Sequence, residues 1–364
     1  MIRLIGVVLG LLLLVGTSSA IKSTPVKLFN QLLKGYDMRS APSEVSGKPV
    51  EVQISFYVSN TKVDTEKKEM VLDTYFRQTW VDERLRFPAD EELEEMSFGD
   101  GPDDQIWTPD TFFRNAISVD WVTSDNVLVR IYKTGKVWLA QKVILTIRCP
   151  MHFQKYPFDT QECSIRVESF RHTSDSLQLK FLDKGFNFDE PSEIDGFSLE
   201  NHKLLDCAMN YTSGIYPCLA VKLILKRDHG AFSKHRFFPS ALVLFFIYTS
   251  TWMGSQILLP RALVLIAGIL LLGANMITSS IVLPHPVVGY MTAGDIWYPV
   301  IIILVMLAII EFCVVAILCN RTDGVSENSK HTSIGNVLEW IFRIGFLVTI
   351  IVFLVVYFAL YSIG

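Results

Sequence analysis

Four long apolar stretches occupy the part of the chain that follows Arg236, whereas the part before it is mixed in composition. They lie at about residues 237–258, 262–283, 296–319 and 337–361. Each is near the roughly 20 residues that an α-helix needs to cross a bilayer. The polar segment 320–336 predicts a short cytoplasmic loop, and residues 337–364 hold the last span and the C-terminus. The chain is therefore expected to end in an all-α bundle of four membrane helices.

Residues 1–20 are typical of a secretory signal. A basic Arg3 precedes the apolar run IGVVLGLLLLVG, which is followed by the small residues TSSA. A first membrane helix is the alternative, but the run is short for a full crossing. Export would place residues 21–236 in an oxidising compartment, where disulfides persist. We therefore expect a multi-pass protein of the plasma membrane with an extracellular N-terminal domain.

The charge pattern fits this orientation. With the N-terminus outside, four crossings place Arg261, Arg321 and Lys330 on the cytoplasmic side, as the positive-inside tendency favours. The formal net charge is only −4, so no nucleic-acid partner is indicated. We find no nucleophile–base pair, metal-ligand set or phosphate-binding loop. The sequence therefore predicts no enzymatic activity, no metal site and no cofactor.

The sequence of the extracellular part predicts β-strands. Apolar and polar residues alternate with a period of two, which is typical of a strand with one buried face. The β-rich runs lie at residues 50–58, 137–147, 177–181 and 219–225. Turn residues, KTG at 133–135 and DKG at 183–185, are expected to separate such strands. We predict an all-β antiparallel sandwich with an N-terminal helix from Pro25, where Val26, Phe29 and Leu33 have helical spacing.

Four cysteines of the extracellular part predict two disulfides. Counts alone do not fix their connectivity, but proximity in sequence favours Cys149 with Cys163 and Cys207 with Cys218. The first pair would close a loop of about 15 residues, worth roughly 3 kcal/mol in the chain-entropy model. That loop contains YPFD at 156–159, where an aromatic residue before proline favours a cis bond.

In its motifs the chain resembles the pentameric ligand-gated ion channels of the Cys-loop family. The resemblance is carried by the order and spacing of several segments, and it covers nearly all of the mature sequence. These are WVDERLRF at 80–87, IWTPDTFFRN at 106–115, the 149–163 loop, VESF at 167–170, KRDHGAF at 226–232 and DIWYP at 295–299. The second cysteine pair makes the chain most similar to the glycine-receptor and glutamate-gated chloride channel branch.

The resemblance implies a ligand site between neighbouring subunits. The principal face would present Phe170, Tyr211 and Tyr216, and the complementary face Tyr75, Arg77 and Trp138. Aromatic rings attract an ammonium group and a guanidinium grips a carboxylate, so the partner would be a small amino acid or amine. The alternative is that these aromatic residues belong to the core and that Arg77 is a solvated surface charge.

A glycosylation sequon, Asn210-Tyr211-Thr212, lies in the same region of the sequence. A glycan on Asn210 would sit at the mouth of the proposed pocket.

The second span is expected to line the pore. Helical spacing places six apolar residues on one stripe: Leu263, Ala267, Leu270, Ala274, Ile277 and Ile281. By resemblance, Leu270 falls at the leucine gate, which can close a pore by dewetting. The alternative is a buried bundle helix without a water path. At the inner mouth, residues 257–261 contain Arg261 and no acid, so five arginines would favour anions.

Coupling residues are also implied by the resemblance. Phe158 and Asp159 at the loop tip, Asp64 and Glu66 between strands, and Arg227 before the first span match the transduction elements of the family. They should meet the 284–294 connection between the second and third spans.

The sequence thus predicts a homo- or heteropentameric channel of five like subunits in membrane lipid. The alternative function is a ligand-binding or silent subunit that conducts poorly alone, which the apolar inner end of the stripe favours. Glu311 lies deep in the third span and needs a polar partner, which the sequence does not identify.

Overall fold

The computed structural model describes most of the chain from residue 25 onward. The described ranges are 25–88, 93–99, 101–122, 126–189, 194, 196–253, 257–283, 288–322 and 329–363. The predicted secretory signal at 1–20 lies outside them.

A β-sandwich forms the N-terminal domain. Among the described residues the strands are β1 Val50–Asp64, β2 Glu69–Val81, β3 Glu95–Phe98, β4 Thr111–Phe113, β5 Ala116–Trp121, β6 Val127–Tyr132, β7 Lys136–Arg148, β8 Thr160–Ser169, β9 Leu177–Phe188, β10 Phe197–Asp206, β11 Met209–Tyr211, β12 Gly214–Tyr216 and β13 Cys218–Arg227. One sheet has the order β3-β6-β7-β2-β1-β9, with β5 also paired to β7, and the other has the order β10-β13-β8-β4. β11 and β12 form a separate hairpin.

The core lies between the two sheets, as the alternating pattern predicts. Val52, Ile54 and Phe56 of β1 are all buried. The Phe76 ring of β2 lies 5.2 Å from Phe56 of the same sheet and 5.2 Å from Phe113 of the opposite sheet. Each buried side chain of this kind contributes about 1.5–3 kcal/mol relative to exposure, so this aromatic contact holds the two sheets together.

One strand pair departs from the predicted antiparallel arrangement. β9 pairs with β1 in parallel, and the register jumps from Ile54 opposite Phe181 to Phe56 opposite Phe186. The DKG segment at 183–185 is therefore an irregularity inside β9, and its prediction as a turn between strands is wrong. Gly185 is required there because an added Cβ would come within 2.8 Å of the Phe181 ring. KTG, in contrast, does form a turn, with Gly135 at a positive φ of 81°.

Both predicted disulfides are confirmed. Cys149 and Cys163 join the end of β7 to β8 with a Cα–Cα distance of 5.0 Å, and therefore link the two sheets. Cys207 and Cys218 close the base of the β11–β12 hairpin, with Cα atoms 4.8 Å apart. The Tyr156–Pro157 bond is cis, as predicted.

Two short helices precede β1, α1 at Pro25–Leu32 and α2 at Pro42–Ser46. α1 is the predicted N-terminal helix. Its Phe29 is buried, and the ring lies 4.9 Å from that of Phe98, which docks the helix on the sandwich.

Of the predicted first span 237–258, the structure describes the helix α3, Phe238–Ser250, which is shorter than the roughly 20 residues that a crossing needs. A turn at Gly230–Phe232 and a π-helical segment at Ser233–Phe237 lead into α3. Beyond α3 the chain turns, and the hydroxyls of Ser250 and Thr251 donate to carbonyls of the preceding helical turn. Side chains that bond the nearby backbone in this way compete with helical hydrogen bonds.

Three described helices are long and apolar enough to cross a membrane. They are α4 Leu258–Val282, α5 Ala293–Thr322 and α6 Ser329–Phe358. α4 begins before the predicted residue 262 because Pro260 is tolerated in a first helical turn. α5 and α6 both extend into the predicted loop at 320–336, since a polar stretch without proline does not by itself end a helix. α3 packs against α4 so closely that a Cβ on Gly268 would lie 2.7 Å from Ile247.

Candidate functional site

The three residues predicted for the principal face lie at one end of the sandwich. Tyr211 and Tyr216 belong to the β11–β12 hairpin, with ring centroids 5.6 Å apart. Phe170 follows β8 directly and is 77% exposed, with one edge against Phe112. Exposure on this scale is unusual for a large aromatic side chain whose role is packing.

Glu168, two residues before Phe170, was missed by the sequence reasoning. Its side chain is almost fully buried, yet one carboxylate oxygen has no hydrogen-bond partner among the described residues. Arg114 approaches that oxygen at 3.6 Å, and the Tyr211 phenol bonds to the same carboxylate. The pKa of Tyr211 is raised by partial desolvation and by this hydrogen bond. The acid between Val167 and Phe170 in the VESF motif is the signal that could have found it, because a buried carboxylate needs a partner.

Asp110 fixes the backbone that carries Phe170. Its carboxylate accepts a hydrogen bond from the Ser169 hydroxyl at 2.7 Å and from the Arg171 backbone N–H at 2.5 Å. The Ser169 hydroxyl in turn accepts from the His172 N–H at 3.0 Å. The WTPD segment therefore holds Phe170 in position, a role that the sequence alone did not assign.

The residues predicted for the complementary face lie on the other sheet. Tyr75 and Arg77 of β2 and Trp138 of β7 project from the face opposite the core. The Arg77 guanidinium lies 5.3 Å above the Tyr57 ring, which is 6.2 Å from Tyr75. A single chain thus keeps the two predicted halves of the site on different sheets, so a shared pocket would require a second chain.

At the membrane end of the sandwich, Asp159 and Arg227 form a bidentate ion pair. The two N–O distances are 2.7 and 3.0 Å, and both side chains are largely buried. The same guanidinium lies 4.3 Å above the Phe197 ring. Because breaking a buried pair leaves an uncompensated charge, this contact fixes the loop tip to the strand that leads into the membrane.

Phe158 contacts the membrane helices themselves. It stacks on Phe237 of the π-helical segment at 5.9 Å with an interplanar angle of 14°. Its edge also meets Tyr357 and Phe358 of α6. The tip of the disulfide loop therefore rests on the π-helical segment and on α6.

The same loop meets the predicted 284–294 connection through its backbone. The Ala293 N–H donates to the Gln154 carbonyl at 3.0 Å and the Gly294 N–H to the Tyr156 carbonyl at 2.7 Å. The Tyr290 hydroxyl accepts from the Phe153 N–H at 2.9 Å. Residues 284–287 lie outside the described part of the chain.

Asp64 ends β1, and Glu66 lies in the turn between β1 and β2. The Asp64 carboxylate accepts from the N–H groups of Glu66 and Lys67, so it caps its own turn. Both acids line a cavity of about 460 Å³ together with Arg227 and Leu283. Their contact with the 284–294 connection stays a prediction.

The predicted pore stripe of α4 points away from its own bundle. All six apolar members are exposed in the chain, including Leu270 at 68%. The opposite face, with Leu265, Gly268 and Leu272, is buried against the other helices. Within one chain the stripe is thus free to contact water or another copy.

Arg261 is not on this stripe, and its prediction as a pore-lining residue is wrong. The side chain is fully buried and its guanidinium contacts Glu311 of α5 and, at 3.2 Å, Glu339 of α6. At about 100° per residue, Arg261 lies half a turn from Leu270. A charge on the bundle-facing side of a membrane helix requires such partners, and Arg261 is the partner that Glu311 needed.

The N-terminal domain matches a known protein family. The family described as the neurotransmitter-gated ion-channel ligand binding domain matches residues 25–229, which is more than half of the chain. The match runs from α1 to just beyond β13 and contains both disulfides.

Proposed function

Because the chain belongs to the neurotransmitter-gated ion channels, the Cys-loop receptors, we propose that it is one subunit of a pentameric channel opened by a small extracellular ligand. The membrane protein carries an extracellular ligand-binding domain followed by apolar helices able to span a bilayer. This family is one of ion channels and not of enzymes. Four further like subunits, identical or not, complete the assembly in the plasma membrane.

The observation that carries this proposal is the separation of two incomplete half-sites within one chain. Phe170, Tyr211 and Tyr216 lie beside the buried Glu168 carboxylate at one end of the sandwich. Arg77 lies with its aromatic neighbours on the other sheet. The first half suits an ammonium group and the second a carboxylate, so an amino acid or amine bound between two subunits would satisfy both.

The test is single-chain expression with voltage-clamp recording against a panel of amino acids and biogenic amines. Ligand-evoked current, reduced by Arg77→Ala and by Phe170→Ala, supports an interfacial site. Evoked current that neither substitution alters by more than about twofold contradicts the assigned site.

We propose anion selectivity on one of the two sequence arguments, because the structure removes the other. The burial of Arg261 removes the ring of arginines from the inner mouth, and what remains is the lack of an acid in residues 257–261. We propose that the chain is similar to the glycine-receptor and glutamate-gated chloride channel branch of the family. Reversal potentials in chloride-substituted solution test the anion selectivity. Potentials that do not change with the chloride concentration contradict it.

A silent subunit is the second candidate, and one observation favours it. The exposed stripe of α4 is wholly apolar, and its inner end carries Leu263 and Ala267. Five copies would form hydrophobic rings that water leaves readily. If this chain gives no current when it is expressed alone but contributes to the current when it is co-expressed with a conducting relative, the silent-subunit function is supported.

The remaining assignments follow from position. Asp64, Glu66, Phe158, Asp159 and Arg227 are proposed to transmit ligand binding to the membrane helices. Asn210 is exposed on β11, and we propose that it carries a glycan beside the ligand pocket.

A further inference from the structure

Pro239 removes one backbone hydrogen-bond donor from the start of α3. In an α-helix each N–H donates to the carbonyl four residues earlier, and proline has no N–H. The carbonyl of His235 therefore receives no hydrogen bond from Pro239. An unsatisfied carbonyl is costly inside a membrane protein, where water is scarce.

The pore helix supplies the donor. The side-chain amide of Asn275 in α4 donates to the His235 carbonyl at 3.0 Å. Its carbonyl oxygen accepts from the Tyr298 hydroxyl of α5 at 2.7 Å. Tyr298 is buried, and its hydroxyl also lies 2.9 Å from that of Ser279 in α4. Asn275 thus bonds the first and third membrane helices at once, one residue from Ala274 of the pore stripe.

The π-helical segment that contains His235 is held in turn by the extracellular domain. The segment carries Phe237, which stacks on Phe158 of the disulfide loop. In the same segment, the Arg236 guanidinium donates to the Gly294 carbonyl at 3.1 Å. A displacement of the disulfide loop therefore moves the segment whose carbonyl the pore helix holds.

We propose that Asn275 is a positioning residue for gating, through which the π-helical segment pulls directly on the pore helix. This inference rests on the proposed channel function and adds to it a second route. It acts through the π-helical segment, which bonds the pore helix by the His235 carbonyl. Pro239 has no N–H and therefore offers no donor that competes with Asn275 for the His235 carbonyl.

The geometry predicts how two substitutions combine. Asn275→Leu removes the donor from the pore helix, and Pro239→Ala adds a backbone N–H that can compete for the His235 carbonyl. Both weaken the same link, so both should shift gating in the same direction. Their effects should not add, because contacting residues that share one hydrogen bond are coupled.

The experiment measures ligand-free current in a Leu270→Ser background, where a polar ring favours a wet pore. Asn275→Leu and Pro239→Ala are each expected to change the open-to-closed ratio by about three- to tenfold, the size of one interhelical hydrogen bond. The double variant should change the ratio by less than the product of the two single effects, because Asn275→Leu also removes the Tyr298 bond but the His235 bond is lost only once. Thr278→Val is the matched control, since among the described residues its hydroxyl bonds only the Ala274 carbonyl of its own helix. It should change the ratio less than about twofold.

A second readout separates this inference from channel activity itself. The rate at which a charged thiosulfonate modifies Ile277→Cys, measured by peptide mass spectrometry on surface protein, reports the position of the pore helix without any current. If the modification rate shifts non-additively in the two variants but no current is recorded, the positioning role of Asn275 is supported and the conducting function is contradicted. Unchanged rates and currents, or effects of Asn275→Leu and Pro239→Ala that add, overturn it. If Asn275→Leu does not reach the surface, Pro239→Ala alone must still move both readouts.

Discussion

Replacing Glu339 with leucine should destabilise the membrane bundle by about 3–5 kcal/mol, the cost of removing one partner from a buried ion pair. Glu339 is buried and bonds Arg261 at 3.2 Å through one oxygen and Arg343 at 2.9 Å through the other. With Glu311 these residues form a cluster of two cations and two anions. Loss of Glu339 leaves that cluster with an uncompensated positive charge away from water.

The double variant Glu339→Leu/Arg343→Met should recover most of this loss, because the remaining Arg261–Glu311 pair is neutral. A residual cost of about 1–2 kcal/mol is expected, since Arg343 also donates to the Thr251 carbonyl at 2.8 Å. Thermal unfolding followed by tryptophan fluorescence suits the measurement, because the Arg343 guanidinium lies 5.1 and 5.5 Å from the rings of Trp252 and Trp340.

Thr349→Val is the control on the same helix. Its hydroxyl is exposed and, in the part of the chain that the structure describes, bonds only the Gly345 carbonyl, so its effect should stay within about 0.5 kcal/mol. The reasoning fails if Glu339→Leu costs no more than this control, or if the double variant is less stable than Glu339→Leu alone.

Three further substitutions test the ligand site, the glycan and the gate. Glu168→Gln should raise the half-activating ligand concentration by about 10- to 100-fold, the loss of one charge-assisted hydrogen bond. Glu162→Gln on the exposed face of β8 should change it less than about twofold, and equal effects would contradict the site. Asn210→Gln should abolish the gel shift that peptide N-glycosidase produces in the parent; a persisting shift would place the glycan elsewhere. Leu270→Ser should produce current without ligand because a polar ring resists dewetting, and a silent, surface-expressed variant would speak against a gate there.

Local patterns predicted the sandwich well and its irregularities poorly. One face of β1 is buried, and the alternation of apolar and polar residues in the sequence indicates this directly. The parallel pairing of β1 with β9 depends on residues more than a hundred positions apart, and no local pattern encodes it. Glycine in DKG indicated a turn, whereas Gly185 serves a close approach to Phe181 inside a strand.

The membrane part shows a similar division. Helical spacing correctly placed Leu270 on a face that points away from the bundle. The same geometry, applied to Arg261, would have placed it on the opposite face, but its position at the start of the span suggested the pore mouth instead. Its partner Glu339 lies on another helix, 78 residues away, and only the packed bundle reveals the pair.

The most direct test of the account is the structure of the full chain in lipid nanodiscs by electron cryomicroscopy. We predict five copies around one axis, with α4 innermost, Leu270 facing the axis and Arg261 turned into each bundle toward Glu311. A monomeric particle, or an axis lined by a different helix, would contradict the proposal that this chain forms a ligand-gated pore.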